Sequence, residues 1–148
     1  MKFEDVIKQK KFESAQQKAI LNLIYTHNWV SALHESFFKE YDLTMQQYNV
    51  LRILRGKHPE SICAGEVKEV MLDRNPDLTR LCDRLLKKGL IERATNDENR
   101  RQVLLKITKG GLDLLKEMDP FVQSSLKLNG LTEKECLLLS DLLDKLRG

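Results

Sequence analysis

Three cysteines, Cys63, Cys82 and Cys136, are too few and too widely separated for a disulfide framework, and none forms a paired-cysteine motif. Reduced thiols in a cytoplasmic protein are the expected state. Cys82, on an apolar helix face, reads as a small buried hydrophobe. Proline and glycine are scarce too, at three and seven in 148 residues. No flexible linker therefore divides the chain, and one domain over 1–148 is expected. No apolar run is long enough for a signal peptide or a membrane span, so a soluble chain with no membrane partner is expected. Signs of catalysis are absent as well. There is no nucleophile elbow, no phosphate-binding glycine loop and no metal-binding doublet, and the carboxylates are scattered along helices that carry Lys and Arg to pair with them. An enzyme is not expected. His27 and His34 lie seven residues apart on one helical face, but the only other histidine is His58, and a ligand set needs more donors at close spacing. Neither a metal nor a cofactor is expected.

Neither sign of charge dominates, with 25 Lys and Arg against 22 Asp and Glu, yet the charge is unevenly spread. From Arg74 through Lys106 nine basic residues stand against five acidic ones, a local net of +4 where the whole chain has +3. Positive charge concentrated in one stretch is what a polyanion-binding surface requires. The same stretch has the clearest local structure. Asn75 reads as a helix cap, Pro76 suits the first turn, and Gly89 stops the helix in the left-handed conformation. Leu78, Leu81, Cys82 and Leu85 recur at steps of three and four and form a buried face. Thr79, Arg80, Asp83, Arg84, Lys87 and Lys88 then project outward, a set suited to phosphates and base edges. After Gly89 the period falls to two. Leu90 to Arg93 and Gln102 to Ile107 read as the strands of a hairpin, with Val103, Leu105 and Ile107 on one face. Its tip, Thr95 to Arg101, is polar throughout, which fits a solvated loop and equally a finger beside a nucleic-acid backbone.

From about Val6 to Tyr41 there is no proline or glycine, and Ile20, Leu23, His27, Val30, His34, Phe37 and Tyr41 alternate steps of three and four. That pattern predicts one long helix of about 50 Å. Leu21, Ile24, Trp29, Leu33 and Phe38 add apolar area outside the stripe, so contact with a second subunit is expected. Thr44 and Gln47 have capping-box spacing and open a second helix to about Arg55, with Tyr48, Leu51 and Leu54 inward and Gly56 and Pro59 breaking it. Ser61 to Cys63 reads as a short edge strand, and Ala64 to Leu72 as a short helix with Val67, Val70 and Met71 inward. A short helix, the turn Asp73 to Asn75 and the cationic helix together make a helix-turn-helix, whose second helix is the one that enters the major groove. Beyond the hairpin, Thr108 can cap a helix carrying Leu112, Leu115, Met118, Phe121, Val122 and Leu126, which Pro120 is expected to kink or interrupt. A last helix opens at Thr132, with Glu135 at capping-box spacing, and carries Leu138, Leu139, Leu142, Leu143 and Leu146. One winged domain has too little surface to cover both terminal helices, so these are expected to meet in a homodimer.

In this order and spacing the pieces resemble the MarR (multiple antibiotic resistance) regulators, which are dimeric bacterial winged helix-turn-helix transcription factors. The resemblance covers about Leu43 to Gly110. It rests on Leu43 to Leu51, on Leu78-Thr79-Arg80-Leu81-Cys82-Asp83-Arg84-Leu85 with Lys88-Gly89-Leu90-Ile91-Glu92-Arg93, and on Arg101 ahead of Ile107-Thr108-Lys109-Gly110. It implies a mainly α fold with a small β-hairpin wing, in which a winged helix-turn-helix over 43–111 is flanked by dimerisation helices at 1–42 and 112–148. It further implies a regulator of transcription, by expectation a repressor, that binds double-stranded DNA as a homodimer on a pseudo-palindromic operator and is relieved by a small-molecule effector. Arg101 matches the wing arginine that reaches into the minor groove; the aspartate usual two residues before it is Asn99 here. Asp83 matches a recognition-helix aspartate, which leads to an expected Asp83–Arg101 contact. The family scheme of peroxide sensing through a cysteine early in the first helix does not carry over, because no cysteine precedes Cys63.

The candidate DNA contacts are Asn75, Asp77, Thr79, Arg80, Arg84, Lys87, Lys88, Arg100 and Arg101, with Lys87 and Lys88 suited to phosphate or to water. Tyr25, Trp29, His34, Phe38 and Tyr48, with Phe37, are candidates for an effector pocket where the dimer helices meet the DNA-binding unit, and packing accounts for the same residues. The alternative to a DNA-binding regulator is a winged domain used as a protein-interaction module, for which weak, salt-insensitive behaviour toward duplex DNA is expected.

Overall fold

The computed structural model describes residues 2–96, 99, 102–125 and 130–148. The elements are α1 (Phe3–Val6), α2 (Ala15–Glu40), α3 (Met45–Lys57), β1 (Ile62–Cys63), α4 (Ala64–Glu69), α5 (Leu78–Lys87), β2 (Ile91–Thr95), β3 (Val103–Ile107), α6 (Lys109–Ser125) and α7 (Glu133–Arg147). The single helix expected from Val6 to Tyr41 is split. Lys8 takes a left-handed φ of 55°, and Ser14 caps a fresh start by accepting from the Gln17 N–H at 3.1 Å. The segment before Ser14 folds back so that Phe3, which is buried, packs its ring 6.0 Å from those of Phe12 and Tyr25. A serine hydroxyl that satisfies an orphan N–H, combined with burial of one phenyl ring, outweighs continuation of a helix with nothing to pack against.

Most other boundaries follow local chemistry. Thr44 and Gln47 exchange both hydrogen bonds of a capping box at 2.9 and 3.2 Å, and α3 then runs through Gly56 to stop at Lys57, where Pro59 disfavours a helical His58. Helix α4 ends at Glu69 with Val70 as its C-cap; Val67 within the helix and Met71 beyond it are buried, whereas Val70, expected to join them, is 57% exposed. In α5 the cap is Asp77, not Asn75. The Asp77 carboxylate accepts from the Arg80 N–H at 3.1 Å and sets a negative charge at the positive end of the helix dipole, an advantage that neutral Asn75 lacks. Asn75 and Pro76 fall in the turn before it. Gly89 ends α5 with φ +68°.

The three strands are antiparallel in the order β1-β3-β2, with Ile62 and Arg93 both opposite Leu105 and with Ile91 opposite Ile107. Leu105 and Ile107 are buried, whereas Val103, two residues further toward the hairpin tip, is 39% exposed because the hairpin extends beyond the core there. Thr108 fastens the next helix to the end of α5: its hydroxyl donates to the Gly89 carbonyl at 2.7 Å and accepts from the Gly111 N–H at 3.1 Å. Helix α6 was expected to kink or break at Pro120, yet it continues uninterrupted to Ser125. One lost N–H is offset by packing on both sides, with Met118 fully buried and the Phe121 ring stacked 3.5 Å from that of Phe37. Leu126, also expected on this face, lies outside the described residues. Thr132 and Glu135 close a second capping box at the start of α7, and the Thr132 N–H and hydroxyl hold the Glu135 carboxyl below its ordinary range.

The core centres on α3. Val50, Leu51, Val67, Leu85, Leu115 and Met118 are each 0% exposed, drawn from α3, α4, α5 and α6. The long α2 contributes only Phe37 and Phe38 to the buried set, and α7 contributes nothing. Ile24, Trp29 and Leu33 on α2 and Leu137, Leu138, Leu142 and Leu146 on α7 are all more than half exposed in the single chain.

Candidate nucleic-acid interface

Helix α5 buries Cys82 and Leu85 against the core and turns Thr79, Arg80, Arg84 and Lys87 to solvent, as its spacing predicts. Asn75, Asp77, Arg80 and Arg84 border one surface depression of about 340 Å³ together with Thr44 and Gln46 at the start of α3. Thr79 lies on the other flank, where α5, α4 and the hairpin enclose a second cleft that Lys68 and Arg93 also line. The side chains of Arg80, Arg84 and Lys87 have no ion-pair partner among the described residues. A cationic helix face left unneutralised by its own chain has its charge available to an anionic partner.

Two residues of the outward set are engaged within the chain. Asp83 accepts from Arg93 of β2 at 2.9 Å, which ties the hairpin to the middle of α5. The expected partner, Arg101, lies outside the described residues, as does Arg100. Lys88, placed among the phosphate contacts by its position, sits 2.9 Å from the Asp42 carboxylate and also donates to the Asp42 carbonyl. It fastens the end of α5 to the corner between α2 and α3, where Asp42 takes a left-handed φ of 51°. Sequence spacing does not signal that pairing, since 46 residues separate the two.

His34, Phe38 and Tyr48, three of the five residues expected in an effector pocket, line one largely apolar cavity of about 320 Å³ with Phe37, Met45, Asn49, Arg52, Leu72 and Val122. Tyr25 and Trp29 do not reach it. They precede His34 by nine and five helical positions, about 14 and 8 Å along the axis at 1.5 Å per residue, and on other faces. Tyr25 packs on Phe3, and Trp29 is 55% exposed. The cavity also holds a residue that periodicity passes over. Asn49 is 2% exposed; its Oδ1 accepts from Arg52 at 3.1 Å, while its Nδ2, a buried donor, has no partner among the described residues. A buried amide left unsatisfied costs on the order of 1–3 kcal/mol, so this donor favours any occupant that brings an acceptor. Burial pushes the Tyr48 phenol up, which keeps it a neutral hydrogen-bonding group. Burial likewise pushes the Cys82 thiol up to about 11.

A short helix, a turn and an exposed cationic helix, backed by α3 and flanked by a β-hairpin, define a winged helix-turn-helix DNA-binding unit. Residues 32–118 match the family model for the transcriptional regulators SarA/Rot. Over 116 residues the chain is 33% identical to the multiple antibiotic resistance protein MarR of Escherichia coli (strain K12), an alignment spanning 76% of this chain and 79% of that protein. Among solved structures, a MarR transcription factor from Planctomyces limnophilus is 36% identical, covers 92% of this chain and 95% of its own, and superposes with a TM-score of 0.69. A mutant MarR from E. coli, complexed with operator DNA, is 26% identical over 99% of both chains, also with a TM-score of 0.69. The chain belongs to the MarR family of DNA-binding transcriptional regulators, which are not enzymes. No helix among the described residues is long and apolar enough to cross a membrane.

Proposed function

We propose that the protein is a cytoplasmic homodimeric repressor that binds a pseudo-palindromic operator, with one α5 in the major groove of each half-site about one helical turn apart. The observation that carries this reading is the cationic face of α5, where Arg80, Arg84 and Lys87 have no ion-pair partner among the described residues, beside a hairpin tied to the same helix. Thr79 and Arg80 are the base-reading side chains; Asn75, Arg84 and Lys87 contact the backbone; Asp77 acts by holding the first turn of α5; Arg100 and Arg101 reach the minor groove from the wing. Lys88 contributes by anchoring α5 to Asp42. The operator-bound E. coli relative supports the DNA ligand, and the exposed leucines of α7 support the dimer.

Relief of repression follows from the cavity that joins α2, α3 and α6. A small, mainly apolar molecule carrying an acceptor for Asn49 fits its lining, and occupancy there shifts α2 and α6 relative to the DNA-binding unit and so changes the spacing between the two α5 helices. Selection of bound fragments from random duplex DNA by the purified protein, at two salt concentrations, tests the central claim. An inverted repeat is expected, retained less strongly at the higher salt. Recovery of no common sequence, with salt-insensitive retention, makes the winged domain a protein-interaction module instead.

A further inference from the structure

Lys39, the penultimate residue of α2, lies outside the winged region, yet it shares a cleft of about 410 Å³ with Arg84 and Lys87 of α5 and Thr44 at the start of α3. Charge in this cleft is unbalanced. Its one acid, Asp42, is held by Lys88 at 2.9 Å, and Lys39, Arg84 and Lys87 have no ion-pair partner among the described residues. Three like charges converging on one concave surface repel one another unless an anion joins them. Two of the three belong to the helix whose remaining outward face meets DNA, so the anion nearest to hand when that helix is docked is the phosphate backbone bordering its groove.

We propose that Lys39 is a further DNA-contacting residue, and that with Arg84 and Lys87 it clamps one backbone phosphate between the end of α2 and the flank of α5. The inference rests on the DNA-binding reading above. It gives α2, otherwise a helix of the dimer, a direct part in DNA affinity. Because a phosphate carries no base identity, the contact strengthens binding to every sequence alike. A free phosphate or other small anion has the same chemistry, and the experiment separates the two sources.

Full-length Lys39→Gln, Lys39→Arg and Arg80→Ala proteins are compared with wild type by fluorescence anisotropy. The probes are a duplex of about 30 base pairs containing the selected repeat, room for two half-sites one turn apart, and a scrambled duplex of equal length. Each is titrated over a salt series, and inorganic phosphate is titrated into the DNA-free protein by calorimetry. Lys39→Gln is expected to weaken both duplexes about five- to tenfold or more near 0.1 M salt and to lower the salt slope by about two, one contact being lost from each protomer, with the ratio between duplexes unchanged. Lys39→Arg restores both. The Lys39 side chain is exposed, so thermal melting is expected to match wild type. Unchanged affinity and slope in Lys39→Gln, alongside weakened selected-duplex binding in Arg80→Ala, overturns the clamp and leaves the DNA-binding reading standing. Inorganic phosphate binding that is lost in Lys39→Gln while DNA affinity is retained also overturns it, in favour of a free-anion site. Failure of wild type to bind either duplex overturns both readings.

Discussion

Arg93 of β2 donates to Asp83 of α5 at 2.9 Å, so the base of the wing is pinned to the helix beside it. Both side chains are close to half exposed, and such a pair contributes only about 0.5 kcal/mol to folding. Its larger effect is on geometry, because the angle between hairpin and helix sets whether groove and backbone contacts are made together. Asp83→Ala is expected to lower the melting temperature by about 1–2 °C. Loss of a negative charge from the cationic face should at the same time raise affinity for scrambled duplex a few-fold, so the preference for the selected repeat narrows. Anisotropy with both duplexes checks this.

Gly111 is an invisible constraint of a different kind. A Cβ at this position would lie 2.4 Å from the Leu90 carbonyl oxygen and 2.7 Å from Ile107 Cγ1, so the first turn of α6 can approach the sheet only because no side chain is there. Gly111→Ala forces backbone to move and is expected to destabilise by about 1–3 kcal/mol, measured by urea unfolding. Gly110→Ala, whose Cβ would meet its nearest neighbours at 3.6 Å, is the control and should be near neutral.

The contrast between those two glycines shows what the sequence carries and what it withholds. Signals confined to four or five residues are legible: Thr44 with Gln47, Thr132 with Glu135, Gly89 at its left-handed stop, and the alternation that buries Leu105 and Ile107. Each records a hydrogen bond or a burial made by near neighbours. Competition between two local signals is harder. Asn75 and Asp77 are both capping residues, and charge at the helix end favours the second; Ser14 can cap, but only the burial of Phe3 against Phe12 and Tyr25 decides that the helix begins there. Long-range partners are not legible. Nothing near Lys88 announces Asp42, and nothing in the wing says that Arg93 faces Asp83. The cationic face of α5 could therefore be read in advance, whereas the engagement of Lys88 and the place of Lys39 in the cleft required the fold.

Arg55 and Asp119 form another such pair. The guanidinium donates to both carboxylate oxygens at 2.8 and 2.9 Å across 64 residues, joining α3 to α6 beside the Phe37–Phe121 stack. Both bonds leave one guanidinium nitrogen, Nη1, and such a pair on partly covered groups is worth about 0.5–1 kcal/mol. Asp119→Ala is expected to lower stability by about that amount in urea unfolding. The pair joins α6 to α3, so if the proposed shift of α6 sets the spacing of the α5 helices the same change should alter affinity for the selected duplex, although neither residue lies on the cationic face.

Cys82 is expected to be inert. The thiolate is the reactive form, and with burial pushing this thiol up to about 11 only about one side chain in ten thousand is ionised at pH 7. It is also 4% exposed, whereas Cys63 is partly accessible. Brief alkylation with iodoacetamide at pH 7, read by peptide mass spectrometry, should modify Cys63 and leave Cys82 untouched until urea is added. Rapid native modification of Cys82 would show that α5 lifts from the core.

The exposed leucines of α7 bear on the whole proposal. Leu138, Leu142 and Leu146 recur every fourth residue and are 56%, 56% and 55% exposed, an apolar ridge left without full cover among the described residues. Fully burying a leucine contributes about 1.5–3 kcal/mol, and at roughly half exposure about half of that remains to be gained, so three from each of two copies supply about 5–9 kcal/mol toward an association cost of about 4–15 kcal/mol. Leu142→Asp places a charge in the middle of that ridge. Because no α7 residue is buried within the chain, folding of the single subunit should survive while association is lost. Sedimentation at micromolar concentration is expected to show dimers for wild type and monomers for Leu142→Asp. Two linked half-site contacts exceed one by a factor of about 10² to 10⁴, so affinity for the selected repeat should fall by at least about a hundredfold. Arg80→Ala, by contrast, should weaken binding by about 1–3 kcal/mol with the dimer intact. A Leu142→Asp protein that stays dimeric would move the interface away from α7 and leave its leucines without the role assigned to them.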